Sequence, residues 1–388
     1  MRKFVNSRAA SLQPSGIRKF FDIVQKMDGA ISLGVGEPDF VTPWNVREEA
    51  VRSLRRGCTQ YTGNRGLAEL REYISRYLKE RLGVCYPPER TIVTVGASEA
   101  IDLALRAVCD FGDEILVPEP SYVSYAPCVT LAGGTPVAVK CSAENEFILT
   151  PECIEKAVTP KTKAIIVAYP NNPTGAVMTR EQLEAIVPVI EKHDLLVISD
   201  EIYAELTYTG RHVSIASIGN MAERTVLING FSKSFAMTGW RVGFVCAPAE
   251  ADEAMFRIHQ YTILCAPHIS QRAALCALKE GFADGFSTVE DMRREYMRRG
   301  EFLVNAFNAL GLKCFRPKGA FYVFPSVKNT GMDGERFANE LLAKQKVAVV
   351  PGSAFGEAGK YHVRCSYATS MQQLTTAIDR ITSFIEGR

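Results

Sequence analysis

No two cysteines in this chain are spaced to share a metal ion. The closest of the eleven, Cys265 and Cys276, are eleven residues apart, and no C-x-x-C occurs. That pattern speaks against zinc knuckles, iron–sulfur ligation and a disulfide framework. The five histidines, His193, His212, His259, His268 and His362, show no H-x-x-x-H or similar ligand spacing. Long blocks of like charge are missing too: 45 basic and 43 acidic residues leave a net charge of +2. A nucleic-acid arm or polybasic membrane patch is therefore not expected, and the substrate is expected to be small. Apolar runs are strand-sized, too short to span a bilayer. The opening MRKFVNSRAASLQPSG is basic but lacks the apolar stretch of a signal peptide, and free scattered thiols suit a reducing cytosol. Neither an internal repeat nor a low-complexity linker is visible.

What the chain does have is alternation. Its 388 residues exceed the usual size of a single hydrophobic core, so a large domain with a smaller one is expected. Short β-branched runs, at Thr91–Val95, Glu114–Val117, Lys163–Ala168, Leu195–Ser199, Thr225–Ile228 and Val242–Ala247, read as strands. Several are apolar nearly throughout, as in strands covered on both faces by helices. Between them, Thr179 and Gln182 form a capping box ahead of the stripe Leu183, Ile186, Val187 and Ile190, with Pro188 expected to kink that helix. Thr150 before Pro151 marks another helix start. Such alternation predicts an α/β domain on a mainly parallel sheet over residues 41–285. From Phe286 the texture changes to a long charged helix, then short strands near Ala320–Pro325, Val347–Val350 and His362–Ser366. A last helix follows, with Ser370 and Gln373 as capping box and Leu374, Ile378, Ile381 and Ile385 as its buried face. Residues 286–388, with the segment 1–40 as an N-terminal arm, are expected to form a smaller α+β domain.

The chemistry gathers just beyond the C-terminal ends of the predicted strands, where open α/β sheets bind ligands. Lys233 lies in NGFSKSFAMTGWRVG, eight residues before Arg241, and the turn Thr238–Gly239–Trp240 lets both cations face one pocket. A lone lysine there is better read as a surface charge. Beside an arginine and half dehydrated, however, it becomes an amine able to attack an aldehyde. Arg241 suits a phosphate dianion. Asp200 ends LLVISD and is followed by Tyr203. It can be a helix cap, or a carboxylate that keeps a pyridine nitrogen protonated. Asn172, in AYPNNPTGAV, exceeds what the turn residues Pro173 and Gly175 require. Gly96, Ala97 and Ser98 join a strand to a helix, which serves as a plain N-cap or as an anion site. Arg364 sits inside an apolar strand, where its charge needs a partner such as a substrate carboxylate.

At these residues the sequence resembles the class I aminotransferases of the aspartate-aminotransferase fold, in the branch of prokaryotic aspartate and aromatic aminotransferases. The resemblance runs from LGVGEPDF through QYTGNRGLAELR, NNPTG, SDEIY and SKSFAMTGWRVG to VPGSAFG and VRCSYA, in the family's order. It implies a fold-type-I transferase using pyridoxal 5'-phosphate. Lys233 would attach the cofactor and shuttle a proton, Asp200 would pair with the ring nitrogen, and Tyr203 and Asn172 would hold the ring oxygen. Tyr122 would stack on the ring, while Ala97, Ser98 and Arg241 would bind the phosphate. Tyr61 would reach the neighbouring subunit's phosphate in a homodimer. Arg364, Asn172 and the backbone at Gly36 would hold the substrate. Two departures stand out. Gly230 occupies the place of a phosphate-binding serine common among relatives, for which Ser232 can substitute. Tyr122 stands where aspartate-specific relatives commonly carry tryptophan, which favours broad or aromatic specificity. The expected reaction moves an α-amino group from an aromatic amino acid, aspartate or a related donor to a 2-oxo acid such as 2-oxoglutarate.

Other readings are weaker. Gly96-Ala97-Ser98-Glu99-Ala100 approaches a G-x-S-x-G nucleophile elbow, with Asp200 and His259 or His268 as partners, but ends in alanine and leaves Lys233, Arg241 and Arg364 without a purpose. GSAFGEAGKY lacks the spacing of a phosphate loop. Another reaction on the same cofactor, such as a C–S β-lyase, remains the alternative.

Overall fold

The β-branched runs become adjacent strands because each is long enough to be covered on both faces. The computed structural model describes residues 4–14 and 27–387, so part of the expected N-terminal arm (1–3 and 15–26) lies outside the described residues. After a two-residue strand β1 (Ile31–Ser32), seven strands share one sheet: β2 (Thr91–Thr94), β3 (Glu114–Glu119), β4 (Thr135–Lys140), β5 (Thr162–Val167), β6 (Leu196–Asp200), β7 (Thr225–Gly230) and β8 (Gly243–Cys246). Their order is β2-β8-β7-β6-β5-β3-β4. Strand β8 runs antiparallel to both neighbours, and the remaining pairs are parallel. Every residue of β2, β7 and β8 is buried, which explains their nearly unbroken apolar sequence. The edge strand β4 is the one not anticipated. It opens Thr135-Pro136 and fully buries only Val139, so it lacks the signature of its interior neighbours.

Local signals set the helix boundaries. Thr179 Oγ1 accepts from the Gln182 N–H at 3.3 Å while Gln182 Oε1 accepts from the Thr179 N–H at 2.9 Å. Helix Arg180–Lys192 then continues through Pro188, burying Leu183, Ile186, Val189 and Ile190, with Val187 at the half-buried flank. The 23-residue helix Ser287–Ala309 leads into β9 (Tyr322–Val323), β10 (Val347–Ala348), β11 (Val350–Pro351) and β12 (Val363–Ser366). Strands β11, β12 and β9 form an antiparallel sheet, while β10 pairs with β1. The single run expected over Val347–Val350 is thus split between two partners. The last helix, Met371–Glu386, is capped by Ser370 and buries Leu374, Ala377, Ile381 and Phe384. Ile378 and Ile385 flank that face rather than forming it. An aromatic cluster of Tyr296, Phe321, Tyr322 and Tyr367 packs this part against Ile202 and Tyr203 beyond β6. Among the described residues, no helix is long and apolar enough to cross a membrane.

Candidate active site

Four chain reversals at one sheet end converge on a cavity of about 440 Å³. They are the turn from β2 into helix Gly96–Val108, the segment after β5, the end of β6, and the loop between β7 and β8. The strap Val35–Glu37 and residue Arg364 of β12 close it from the other side.

Lys233 projects into this space, and its Nζ donates to the Gly36 carbonyl at 2.6 Å. Burial pushes its pKa down to about 8, helped by the Arg364 and Arg241 cations and opposed by Glu37 and Asp200. Roughly a tenth of the amine is therefore free at pH 7, against well under a thousandth for an ordinary lysine. Asp200 is buried where β6 ends. Its Oδ2 accepts from the Tyr125 hydroxyl at 2.7 Å and its Oδ1 from the Ile202 N–H at 3.2 Å. Burial raises this carboxyl to about 6, while the two hydrogen bonds and Lys233 hold it down and Glu201 adds to the rise. A cation placed against it would restore the carboxylate, as a protonated ring nitrogen does.

Arg364 is only 2% exposed. Its Nη1 donates to Asn172 Oδ1 at 2.9 Å and its Nη2 to the Gly34 carbonyl at 2.5 Å. The buried Nε has no partner. The guanidinium lies 4.6 Å from the Tyr322 ring centroid and 4.9 Å from that of Phe355, which fixes its plane. The Tyr203 and Tyr322 hydroxyls meet at 2.8 Å at the cavity wall.

At the opposite end, helix Gly96–Val108 presents Ala97 and Ser98 in its first turn, with N–H groups that have no intrahelical acceptor. Arg241 packs against the same turn and is held by its own Nη1 bond to the Thr238 carbonyl at 2.9 Å. Gly96 makes this approach possible. It has φ +76°, and a Cβ there would lie 2.8 Å from Arg241 Nη2. A backbone cradle, a hydroxyl and a fixed guanidinium suit a phosphate group, and the lysine and aspartate suit the aldehyde and the ring nitrogen of pyridoxal 5'-phosphate.

Of the residues singled out from sequence, Gly36, Ala97, Ser98, Tyr122, Asn172, Asp200, Tyr203, Ser232, Lys233, Arg241 and Arg364 all line this one cavity. Tyr61 does not; it is 80% exposed on the outer surface. Tyr125, Tyr322, Glu37 and Thr238 also line the cavity without having been anticipated. For Tyr125 a signal existed: it follows Tyr122 by three residues at a helix start, and the two rings meet edge to face at 5.5 Å. Tyr322 carries no such signal, because only packing brings it to Tyr203.

A mainly parallel sheet with these groups at its C-terminal edge defines a fold-type-I, pyridoxal-phosphate-dependent transferase. The chain belongs to the aminotransferases of class I and II, whose family model matches residues 28–381. It is 52% identical to the putative aminotransferase YugH of Bacillus subtilis over 99% of both chains. To aromatic-amino-acid aminotransferase 2 of Thermococcus litoralis it is 45% identical, again over 99% of both. The solved aspartate aminotransferase from Thermus thermophilus with maleate matches with TM-score 0.93 at 40% identity, covering 98% of this chain and 99% of that one. The protein is thus a pyridoxal-5'-phosphate-dependent amino acid aminotransferase, acting on amino acids and 2-oxo acids.

Proposed function

We propose that Lys233 holds the cofactor covalently and moves the proton that transamination requires. The lowered lysine pKa, with two arginines and a buried aspartate around one cavity, is the observation that carries this reading. When bound, pyridoxal 5'-phosphate supplies an electrophilic carbon and an electron sink. Ala97, Ser98, Ser232 and Arg241 bind the phosphate, Asp200 pairs with the ring nitrogen, and Tyr203 and Asn172 steady the ring oxygen while Tyr122 covers one face. Arg364 takes the substrate α-carboxylate through the second hydrogens of its Nη groups, each of which uses only one on Asn172 or Gly34, with Asn172 and the Gly36 backbone beside it. Freed from the Gly36 carbonyl, the Lys233 amine would accept the substrate's α-proton and hold it at Nζ.

The exposed Tyr61 reaches a second copy's phosphate in a homodimer. Phe40, Val41, Trp44 and Tyr261, apolar and solvent-facing in the single chain, supply contact area for that association. Residues 41–285 form the cofactor domain, and 286–388 with the segment 1–40 form the smaller one. The donor is an aromatic amino acid, aspartate or a related amino acid, the acceptor is a 2-oxo acid such as 2-oxoglutarate, and the enzyme works in the cytoplasm. A panel of amino donors against 2-oxoglutarate tests this, followed by oxo-acid formation and by the cofactor spectrum. Conversion to the amine form of the cofactor, reversed by an oxo acid and absent in Lys233→Ala, is expected. Release of pyruvate and ammonia instead, or full turnover by Lys233→Ala, refutes it.

A further inference from the structure

Behind the phosphate cradle lies an acid–base pair, a buried histidine against a half-buried glutamate, that the reaction does not use. His259, on helix Ala249–Thr262, is 0% exposed. Its Nδ1 lies 2.7 Å from Glu99 Oε1 and its Nε2 lies 2.9 Å from the Asn64 carbonyl. That carbonyl can only accept, so Nε2 carries a hydrogen. The second Glu99 oxygen accepts from the Val95 N–H. One proton is left between Nδ1 and Oε1, and the pair is neutral as a whole whichever atom holds it.

From these contacts we propose that His259 is a positioning residue for the cofactor phosphate, which neutralises Glu99 at the mouth of helix Gly96–Val108 and anchors the loop that carries Tyr61. The inference rests on the reading that Ala97, Ser98 and Arg241 hold that phosphate. Val95, which Glu99 caps, directly precedes Gly96, and Gly96 is the backbone against which Arg241 packs. An uncompensated carboxylate here competes with a phosphate dianion for the same helix dipole and the same guanidinium. With His259 paired to it, Glu99 caps the Val95 N–H and leaves the Ala97 and Ser98 N–H groups facing the cavity.

The other imidazole nitrogen reaches the second half of the arrangement. Asn64 lies three residues after Tyr61, and the loop is further tied down by Asn64 Nδ2 to the Leu264 carbonyl at 2.9 Å and by Gln271 Nε2 to Thr62 Oγ1 at 3.0 Å. Arg65 adds a two-pronged pair with Asp252 at 2.8 and 2.7 Å, on the same helix as His259. One side chain thus links the phosphate cradle of its own chain to the loop proposed to serve a second copy.

A merely structural role for a buried histidine predicts equal loss for all ligands. A role at the phosphate predicts loss only for ligands that carry one. Dissociation constants of pyridoxal 5'-phosphate and of pyridoxal, which lacks the phosphate, separate the two. His259→Leu is expected to weaken pyridoxal 5'-phosphate about tenfold more than pyridoxal, the size of one charge effect at a helix end. His259→Gln, which keeps an N–H donor but no charge, should show the same selective loss and serves where the leucine variant does not fold. Adding Glu99→Gln to His259→Leu should recover at least about threefold. Equal weakening of both ligands, an unchanged ratio, or no recovery in the double variant overturns the proposal. Arg241→Ala is the control for the underlying reading. If it keeps the preference for the phosphorylated ligand, the phosphate site itself is misassigned; if it loses that preference while both His259 variants keep theirs, only the role of His259 fails.

Discussion

Replacing Arg364 with lysine keeps a cation in the strand but removes the planar fork. In the structure that fork is occupied on two nitrogens, by Asn172 at 2.9 Å and Gly34 at 2.5 Å, and is clamped by the Tyr322 and Phe355 rings. Each of those nitrogens carries a second hydrogen that can serve a carboxylate. Truncating one side of a buried, charge-assisted contact costs about 2–5 kcal/mol. A retained ammonium places Arg364→Lys near the lower end of that range, or roughly 30- to 150-fold in kcat/KM. The assay compares an α-amino acid with the matching amine that lacks the carboxylate. Wild type should prefer the amino acid strongly, and the variant should lose that preference with little change for the amine. Asn172 Oδ1 and the Gly34 carbonyl also lose a donor, so thermal unfolding should register about 1–3 kcal/mol. Because a positive charge remains beside Lys233, the titration of that amine should stay near 8, the value that the neighbouring cations help to set. Amino acid turnover within threefold of wild type, with the variant folded, would refute the assignment of Arg364 to the carboxylate.

Covalent uptake of the cofactor by Lys233, fixed with borohydride at intervals, should accelerate tenfold per pH unit up to about 8 and level off above it; a rise continuing to the ordinary lysine value of 10.5 would contradict the burial argument. The same shift gives a stability signature in the cofactor-free protein. Between about 8 and 10.5 the unfolded chain binds the extra proton, so this group adds stability as pH rises through that window. Gly96→Ala places a methyl group 2.8 Å from Arg241 Nη2 on a backbone with φ +76°. It should cost about 1–2 kcal/mol of stability and weaken cofactor binding, read from thermal unfolding and cofactor titration; an unaltered midpoint and affinity would show that this close approach is unimportant.

Much of the site was legible because its residues sit at predictable places. Lys233, Asp200 and Asn172 follow strands whose β-branched sequence announces them, and turn chemistry sets them at the C-terminal edge of the sheet. Arg364 was legible for a different reason: a charge inside an apolar strand demands a partner. Tyr322 was not legible, and Tyr125 offered only its spacing from Tyr122. Each takes its place in the site through a hydrogen bond made across the fold, Tyr125 to Asp200 at 2.7 Å and Tyr322 to Tyr203 at 2.8 Å. Strand β4 escaped because an edge strand buries too little to show an apolar run. The rotated faces of helices Arg180–Lys192 and Met371–Glu386 escaped because a stripe three or four residues wide leaves its centre to the neighbours that pack on it.

The sequence by itself determined the alternation of strands and helices, the capping of those helices and the residue types available for chemistry. All of these depend on neighbours a few positions away. Tertiary structure alone decided that Gly36, Lys233 and Arg364, far apart along the chain, share one cavity. It also decided that the amine among them is driven toward its free form by burial and by two arginines. Desolvation and charge proximity are properties of the packed molecule, and no local pattern encodes them.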